Sequence, residues 1–410
     1  MATVQELIRT MLGLERFEAT AVCSGTSRGV RTVFHFHAGQ LVWVAGGAVE
    51  TTLGRLLRKE GLLTDEQYST VIERMSEALE KGEELRFGDA AVQFGFLKPV
   101  QIAHALREQA HRKVVDCLGC RKFDIDVSDS PAAAKAVAVG PRVDLSLQAA
   151  VTDGVRLNWD EDRCAEFVAD MVDARPTLRV DAAALAARLG LGMADMALVA
   201  SIDGTRTTRE IVTSSSLGTE QALRLFAALV VLEAAAVPAK PVAAKAAARS
   251  RASAPPKAPT SAVAKTAAPP APPSRDDRLV RLEAEQIFQS GQALLEAGET
   301  EEAAQVLRKA SALYPEAAEY ALAAAWAAFR CPGDAKKTEA RRQALKKAAV
   351  RALDANANLA LGHYALGLVL AAEGDPVRAA RFLARAVALD PTNGDAKTKL
   401  ARLLEPKRRK

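Results

Sequence analysis

His35 and His37 stand two residues apart in the run RTVFHFH. In an extended strand such residues share a face, so both imidazoles could approach one metal ion. A tetrahedral site needs further Cys, His, Asp or Glu ligands. None stands locally, and a polar strand face is the expectation. Cys117-Leu-Gly-Cys120 is a second candidate, with His104 and His111 preceding it at a helical interval. A CxxC pair can cycle between dithiol and disulfide or supply half of a zinc site. Without a second CxxC or a thioredoxin-like βαβ setting, these read as structural cysteines. The chain carries no Gly-x-Ser-x-Gly, no His-Glu-x-x-His, no phosphate loop and no kinase motif set. No catalytic residue, no metal and no cofactor is therefore expected, and the chain is not expected to be an enzyme.

Any such residues must be positioned by a chain of 410 residues, long enough for two to three domains. Hydrophobic residues make up 49% and aromatics only 5%, which favours close-packed, Ala-rich helices. The net charge of +5 is unevenly spread. Lys240, Lys245, Arg249, Arg251, Lys257, Lys265 and Arg275 lie in one Ala/Pro segment, and Lys407 to Lys410 form a basic tail. Without those cations the chain is slightly acidic, so the basic character belongs to tails rather than to a binding face. The five scattered cysteines fit free thiols in a reducing cytosol, and the N-terminus has no signal-peptide pattern. No apolar run approaches the ~20 residues of a membrane-spanning helix. A cytoplasmic protein without membrane insertion is expected.

Val4, Leu7, Ile8, Met11 and Leu12 follow a helical spacing. Arg31–His37, the turn Ala38-Gly39-Gln40 and Leu41–Ala45 read as a strand pair, and Phe123–Val127 as a further strand. Between them lies an internal duplication, in which Leu53–Met75 aligns with Phe87–Gln109 at an offset of 34 residues. Gly54 matches Gly88, Gly61 matches Gly95, and Gln67 matches Gln101. Each copy reads as a short helix, a glycine stop and a longer helix, the latter opened by the capping box Thr64–Gln67 in one copy and by Pro99 in the other. A strand pair with a Gly-x-Leu-Val turn (Gly39–Val42) followed by two Leu-Gly helix pairs resembles the PATAN domain of bacterial signalling proteins. The resemblance extends over about Met1–Val237 and implies protein–protein contact in signalling or polarity systems, with no catalytic residues.

The duplication is also similar to the N-terminal domain of type II secretion and pilus ATPases, some of which bind cyclic di-GMP. That resemblance would assign nucleotide contact to Arg86, Gly88, Gln109 and Gly54. Thr52 stands where the motif needs Arg, and Met75 where it needs Gln. A dianionic ligand wants a guanidinium for bidentate phosphate contact.

From Asp160 to Val237 the pattern gives four or five helices, including Asp181-AAALAARLGLG with a glycine stop and a long apolar helix at Thr219–Ala236. A winged-helix-like arrangement is expected. The last helix offers only Arg224, beside Glu220 and Glu233, so packing or protein contact is expected rather than DNA binding. Pro238 to about Asp276 contains too little apolar bulk to offset the entropy of ordering, and reads as a disordered linker.

After the linker, Leu359–Pro391 places Gly367, Gly374, Ala379, Ala386 and Pro391 as in a tetratricopeptide repeat. Gly291, Gly298, Ala303, Ala310 and Pro315 repeat that register 76 residues earlier. A middle repeat with helices Glu316–Arg330 and Lys337–Asp354 fits between, and Asn393–Leu404 reads as a cap. The small residues let the paired helices approach closely. By the repeat pattern, Phe288, Gln292, Leu295, Leu322, Trp326, Phe329, Tyr364 and Leu368 line a peptide-binding groove.

The expected fold is therefore multidomain and mainly α. A PATAN-like α+β domain spans 1–155 and a winged-helix-like helical part spans 156–237. A linker spans 238–276, three repeats with a cap span 277–405, and a basic tail spans 406–410. The expected function is a non-enzymatic cytoplasmic adaptor that contacts proteins or peptides through the groove and the PATAN-like domain. Nucleic acid is not expected as a partner. The alternative is a regulator responsive to cyclic di-GMP or nucleic acid, through the duplicated motif or the basic linker.

Overall fold

A computed structural model describes residues 1–48, 51–139, 141–238, 274–333 and 335–404. The body of the expected linker and the basic tail lie outside the described residues.

The N-terminal region is built on a five-stranded antiparallel sheet of order β1-β5-β2-β3-β4. Its strands are β1 (Ala2–Thr3), β2 (Ala21–Ser27), β3 (Val30–His37), β4 (Gln40–Gly46) and β5 (Lys122–Ser128). The expected strand pair is β3 and β4, joined at Ala38-Gly39. The helix expected from Val4 is α1 (Val4–Arg16), with Val4, Leu7, Ile8, Met11 and Leu12 all buried. Thr3 and Glu6 cap it reciprocally: the Thr3 hydroxyl accepts from the Glu6 N–H at 3.3 Å, and the Glu6 carboxylate accepts from the Thr3 N–H at 2.6 Å.

The duplicated unit forms α2 (Leu53–Lys59), α3 (Asp65–Glu80), α4 (Phe87–Gln93) and α5 (Pro99–Cys117). Thr64 and Gln67 make the expected capping box at 3.0 and 3.2 Å. Gly61 and Gly95 end the short helices at φ +71° and +70°, a conformation costly for any residue with a Cβ. The matched pair Gly54 and Gly88 has a different cause. A Cβ on Gly54 would meet the Phe87 ring at 2.5 Å, and one on Gly88 would meet Ile102 at 3.0 Å. Gly54 lets α2 approach α4 closely, and Gly88 does the same for α4 against α5.

Further helices follow: α6 (Pro131–Val139), α7 (Leu147–Asn158), α8 (Glu161–Val168), α9 (Ala182–Leu189), α10 (Met193–Ala200), α11 (Thr208–Thr213) and α12 (Thr219–Val231). A two-stranded ribbon, β6 (Thr177–Leu178) with β7 (Ala235–Ala236), closes this part. One apolar core runs from α1 and the sheet through α5 and α7 to α12, with Phe34, Phe36, Phe123, Trp159 and Phe226 fully buried.

The C-terminal region is a stack of paired helices: α13 (Arg275–Glu296) with α14 (Thr300–Leu313), α15 (Ala318–Arg330) with α16 (Ala335–Ala355), and α17 (Ala360–Ala372) with α18 (Pro376–Leu389), followed by α19 (Gly394–Leu404). This arrangement fits tetratricopeptide repeats. The reason for the small residues is visible in the contacts: a Cβ on Gly291 would lie 2.6 Å from Leu307, and one on Gly367 would lie 2.7 Å from Leu383. Helix α13 starts at Arg275, inside the expected linker, because Ser274 and Asp277 form a capping box at 3.1 Å. Among the described residues no helix is long and apolar enough to cross a membrane.

Candidate functional site

The two regions meet where the short helix α2 lies against the first helices of the first two pairs, α13 and α15. Alternation of apolar and basic residues in LGRLLRK sends Leu57 into the core of the helix pairs and Arg55 and Arg58 outward. Arg55 is only 8% exposed. Its Nε donates to Glu285 Oε1 at 2.9 Å, and its two amino groups reach Glu285 Oε2 and Glu319. Its Cζ lies 4.8 Å from the Phe288 ring centroid and 5.6 Å from that of Tyr320, and those two rings stack at 4.5 Å. The guanidinium thus sits in a cage of two carboxylates and two aromatic faces.

Glu285 has no free acceptor capacity. Besides Arg55, it accepts from the hydroxyls of Tyr68 at 2.8 Å and Tyr320 at 2.7 Å and from the Gln289 amide at 2.8 Å. Burial alone would raise its pKa, but the charge and hydrogen bonds of Arg55, with those of Tyr320 and Gln289, outweigh burial and hold it at about 2. Burial and the neighbouring Glu285 carboxylate push both tyrosines above the ordinary phenol range. Such a network stays together because every member is satisfied. Arg58 extends it to Gln289 and, at 3.1 Å, to Gln292. Arg278 pairs with Glu84 at 2.8 Å, and Arg28 with Asp354. At the other end Asn358 donates to Asp116, and Arg385 donates to Asn158 at 3.3 Å.

Glu285 and Glu319 are 34 residues apart, as are Phe288 and Leu322. The cage is therefore the same repeat position used twice, on neighbouring first helices. This was the sequence signal available for it: acids at one repeat period, opposite a short apolar helix bearing Arg at i and i+3.

The eight expected groove residues divide. Phe288, Gln292 and Leu322 face a cleft between the repeats and the N-terminal region, whose volume is about 1320 Å³. Leu295 is partly buried against the core of the first two pairs. Trp326, Phe329, Tyr364 and Leu368 lie further along: Trp326 packs edge-on to Tyr364 at 5.3 Å and stacks on Phe329 at 6.1 Å. Trp326, Tyr364 and Leu368 also join the cluster under the cap helix α19.

The residues suggested for nucleotide contact are placed apart by role. Gly54 and Gly88 are buried at the α2–α4 crossing, Gln109 is buried and donates to the Thr51 carbonyl at 2.7 Å, and Arg86 is exposed before α4. His35 is buried beside Trp43, and burial lowers its pKa. His111 bonds Asp153 at 3.0 Å, away from Cys117 and Cys120, which are free thiols. Burial raises both thiols, the reverse of what a reactive thiolate requires. Among the described residues no group of three or more His, Cys, Asp or Glu could hold a metal.

No family model matches this chain, and no curated protein matches it. Among solved structures, it is similar to the C-terminal TPR-containing domain of an FK506-binding protein from Plasmodium falciparum. That match has 16% identity and a TM-score of 0.25, and covers 31% of this chain and 89% of that one.

Proposed function

We propose that the protein is a non-enzymatic adaptor whose repeat face receives a short helix bearing an arginine. One observation carries this reading. The face of α13 and α15 already holds such a helix, α2, through a caged guanidinium and an Arg58–Gln292 contact. A surface that binds a Leu-x-Arg-Leu-Leu-Arg helix of its own chain has the chemistry to bind one from a partner. The internal helix then competes with that partner, and the occupied state is the resting one. The N-terminal region supplies the second contact surface, as its PATAN resemblance implies, and a cytoplasmic signalling, polarity or motility system is the setting proposed.

The test is a fluorescently labelled peptide of residues 51–62 titrated into the full chain and into Arg55→Ala. The peptide is expected to bind Arg55→Ala, whose cage is vacated, at least tenfold more tightly than the unaltered chain. Equal, negligible binding to both would remove the main support for the adaptor reading.

A further inference from the structure

Beside the caged arginine lies a cavity of about 240 Å³. Leu53, Ile72, Met75, Leu79, Phe87 and Leu282 give it an apolar wall drawn from α2, α3, α4 and α13, and Leu85 from the loop before α4. Tyr68 and Glu285 form its floor, with their polar atoms already engaged by one another and by Arg55. The mouth carries Arg278, Arg281 and Glu83. Arg278 is neutralised by Glu84. Arg281 makes no hydrogen bond or ion pair among the described residues.

An apolar space this size between packed helices is unusual, because interiors leave few voids larger than a water molecule. It is poorly suited to water, whose hydrogen bonds the apolar wall cannot replace. A cavity of ~150 Å³ lined by aliphatic and aromatic residues takes benzene, so this one has room for about ten non-hydrogen atoms. From these features we infer a small-molecule site for a short apolar chain or ring bearing one anionic group, with the apolar part between α3 and α13 and the anion on Arg281. Glu83 at the same mouth disfavours anions placed on its side and selects against ligands with two. Such a ligand touches both the N-terminal helix pairs and the first repeat helix. It binds the docked arrangement and not a separated one, and so tightens the hold on α2 by mass action.

The full chain is titrated calorimetrically with sodium octanoate, 1-octanol and octylammonium chloride. Octanoate is expected to bind saturably at one per chain, and to raise the melting temperature. Arg281→Gln should weaken octanoate about tenfold while leaving octanol unchanged, as loss of one charge-assisted contact does. Met75→Trp fills the cavity and should abolish binding; Leu282→Trp serves the same purpose from the opposite wall if the first variant does not fold. Absence of saturable octanoate binding overturns the site. So does binding that survives both filling variants, or octanol or octylammonium binding as tightly as octanoate.

Discussion

Arg55 and Lys113 show how burial treats two cations differently. Burial alone would lower the Arg55 pKa, but the Glu319 and Glu285 carboxylates and the Tyr320 hydroxyl outweigh it, so its charge is retained and its pKa is pushed up. Lys113 is equally buried but donates only to the Val44 carbonyl at 3.1 Å, over the Trp43 ring. Desolvation, helped by nearby Arg281, lowers its pKa from 10.5 to about 8. A lowered pKa on a base means that the unfolded chain binds more protons between those values. Stability should therefore rise as pH increases from 8 towards 10.5, and below 8, where Lys113 is charged in both states, its burial cost is present in full. Lys113→Met should flatten that rise and raise stability at pH 7, by at most about 3 kcal/mol. Urea unfolding at pH 7, 8.5 and 10 checks this, and a Lys113→Met chain with the same pH slope as the unaltered one contradicts it. Neither cation announces its role in sequence, because Arg and Lys are usually solvated and burial is a property of the assembled elements.

At the scale of elements, the sequence was most legible where period and punctuation coincide. The capping box at Thr64, the acid opening α9 at Asp181, the glycine stops, and the small residues of the repeats mark their helices to within two or three residues. Strand β2 was not legible. Ser24, Gly25, Thr26 and Ser27 look like a loop, yet they form a central strand between β3 and β5. Small residues are needed there because a Cβ on Gly25 would already meet Phe123 at 3.1 Å and Leu7 at 3.2 Å. Glycine pairs make the same point in the other direction. Gly54→Ala should destabilise by roughly 1–3 kcal/mol through overpacking against Phe87 and Tyr68. Gly13→Ala, in α1 with nothing within 4 Å, should stabilise by up to ~1 kcal/mol through helix propensity. Thermal unfolding by circular dichroism separates them, and a Gly54→Ala chain as stable as the unaltered one would show that the α2–α4 crossing is looser than described.

For the whole molecule, two regions separated by a Pro/Ala segment and a repeat stack with an expected groove face were legible from composition and repeats. Its occupant was not. Contacts between regions far apart in sequence leave no local period, and only the 34-residue spacing of Glu285 and Glu319 hinted at a shared ligand. The eight expected groove residues accordingly split: Phe288, Gln292 and Leu322 line the cleft, Leu295 packs on the core of the first pairs, and Trp326, Phe329, Tyr364 and Leu368 lie further along the stack. Arg55 fastens the N-terminal region to the repeats. Removing one partner of a buried ion pair costs roughly 3–5 kcal/mol, because the other charges stay buried without it. Hydrogen–deuterium exchange on the full chain tests this most directly. Arg55→Ala should speed exchange together in α2, α13 and α15, by a factor on the order of a hundred or more if the cost is near 3 kcal/mol, while α17 and α18 remain as protected as before. Unchanged protection of α2 and α13 in Arg55→Ala would contradict the account.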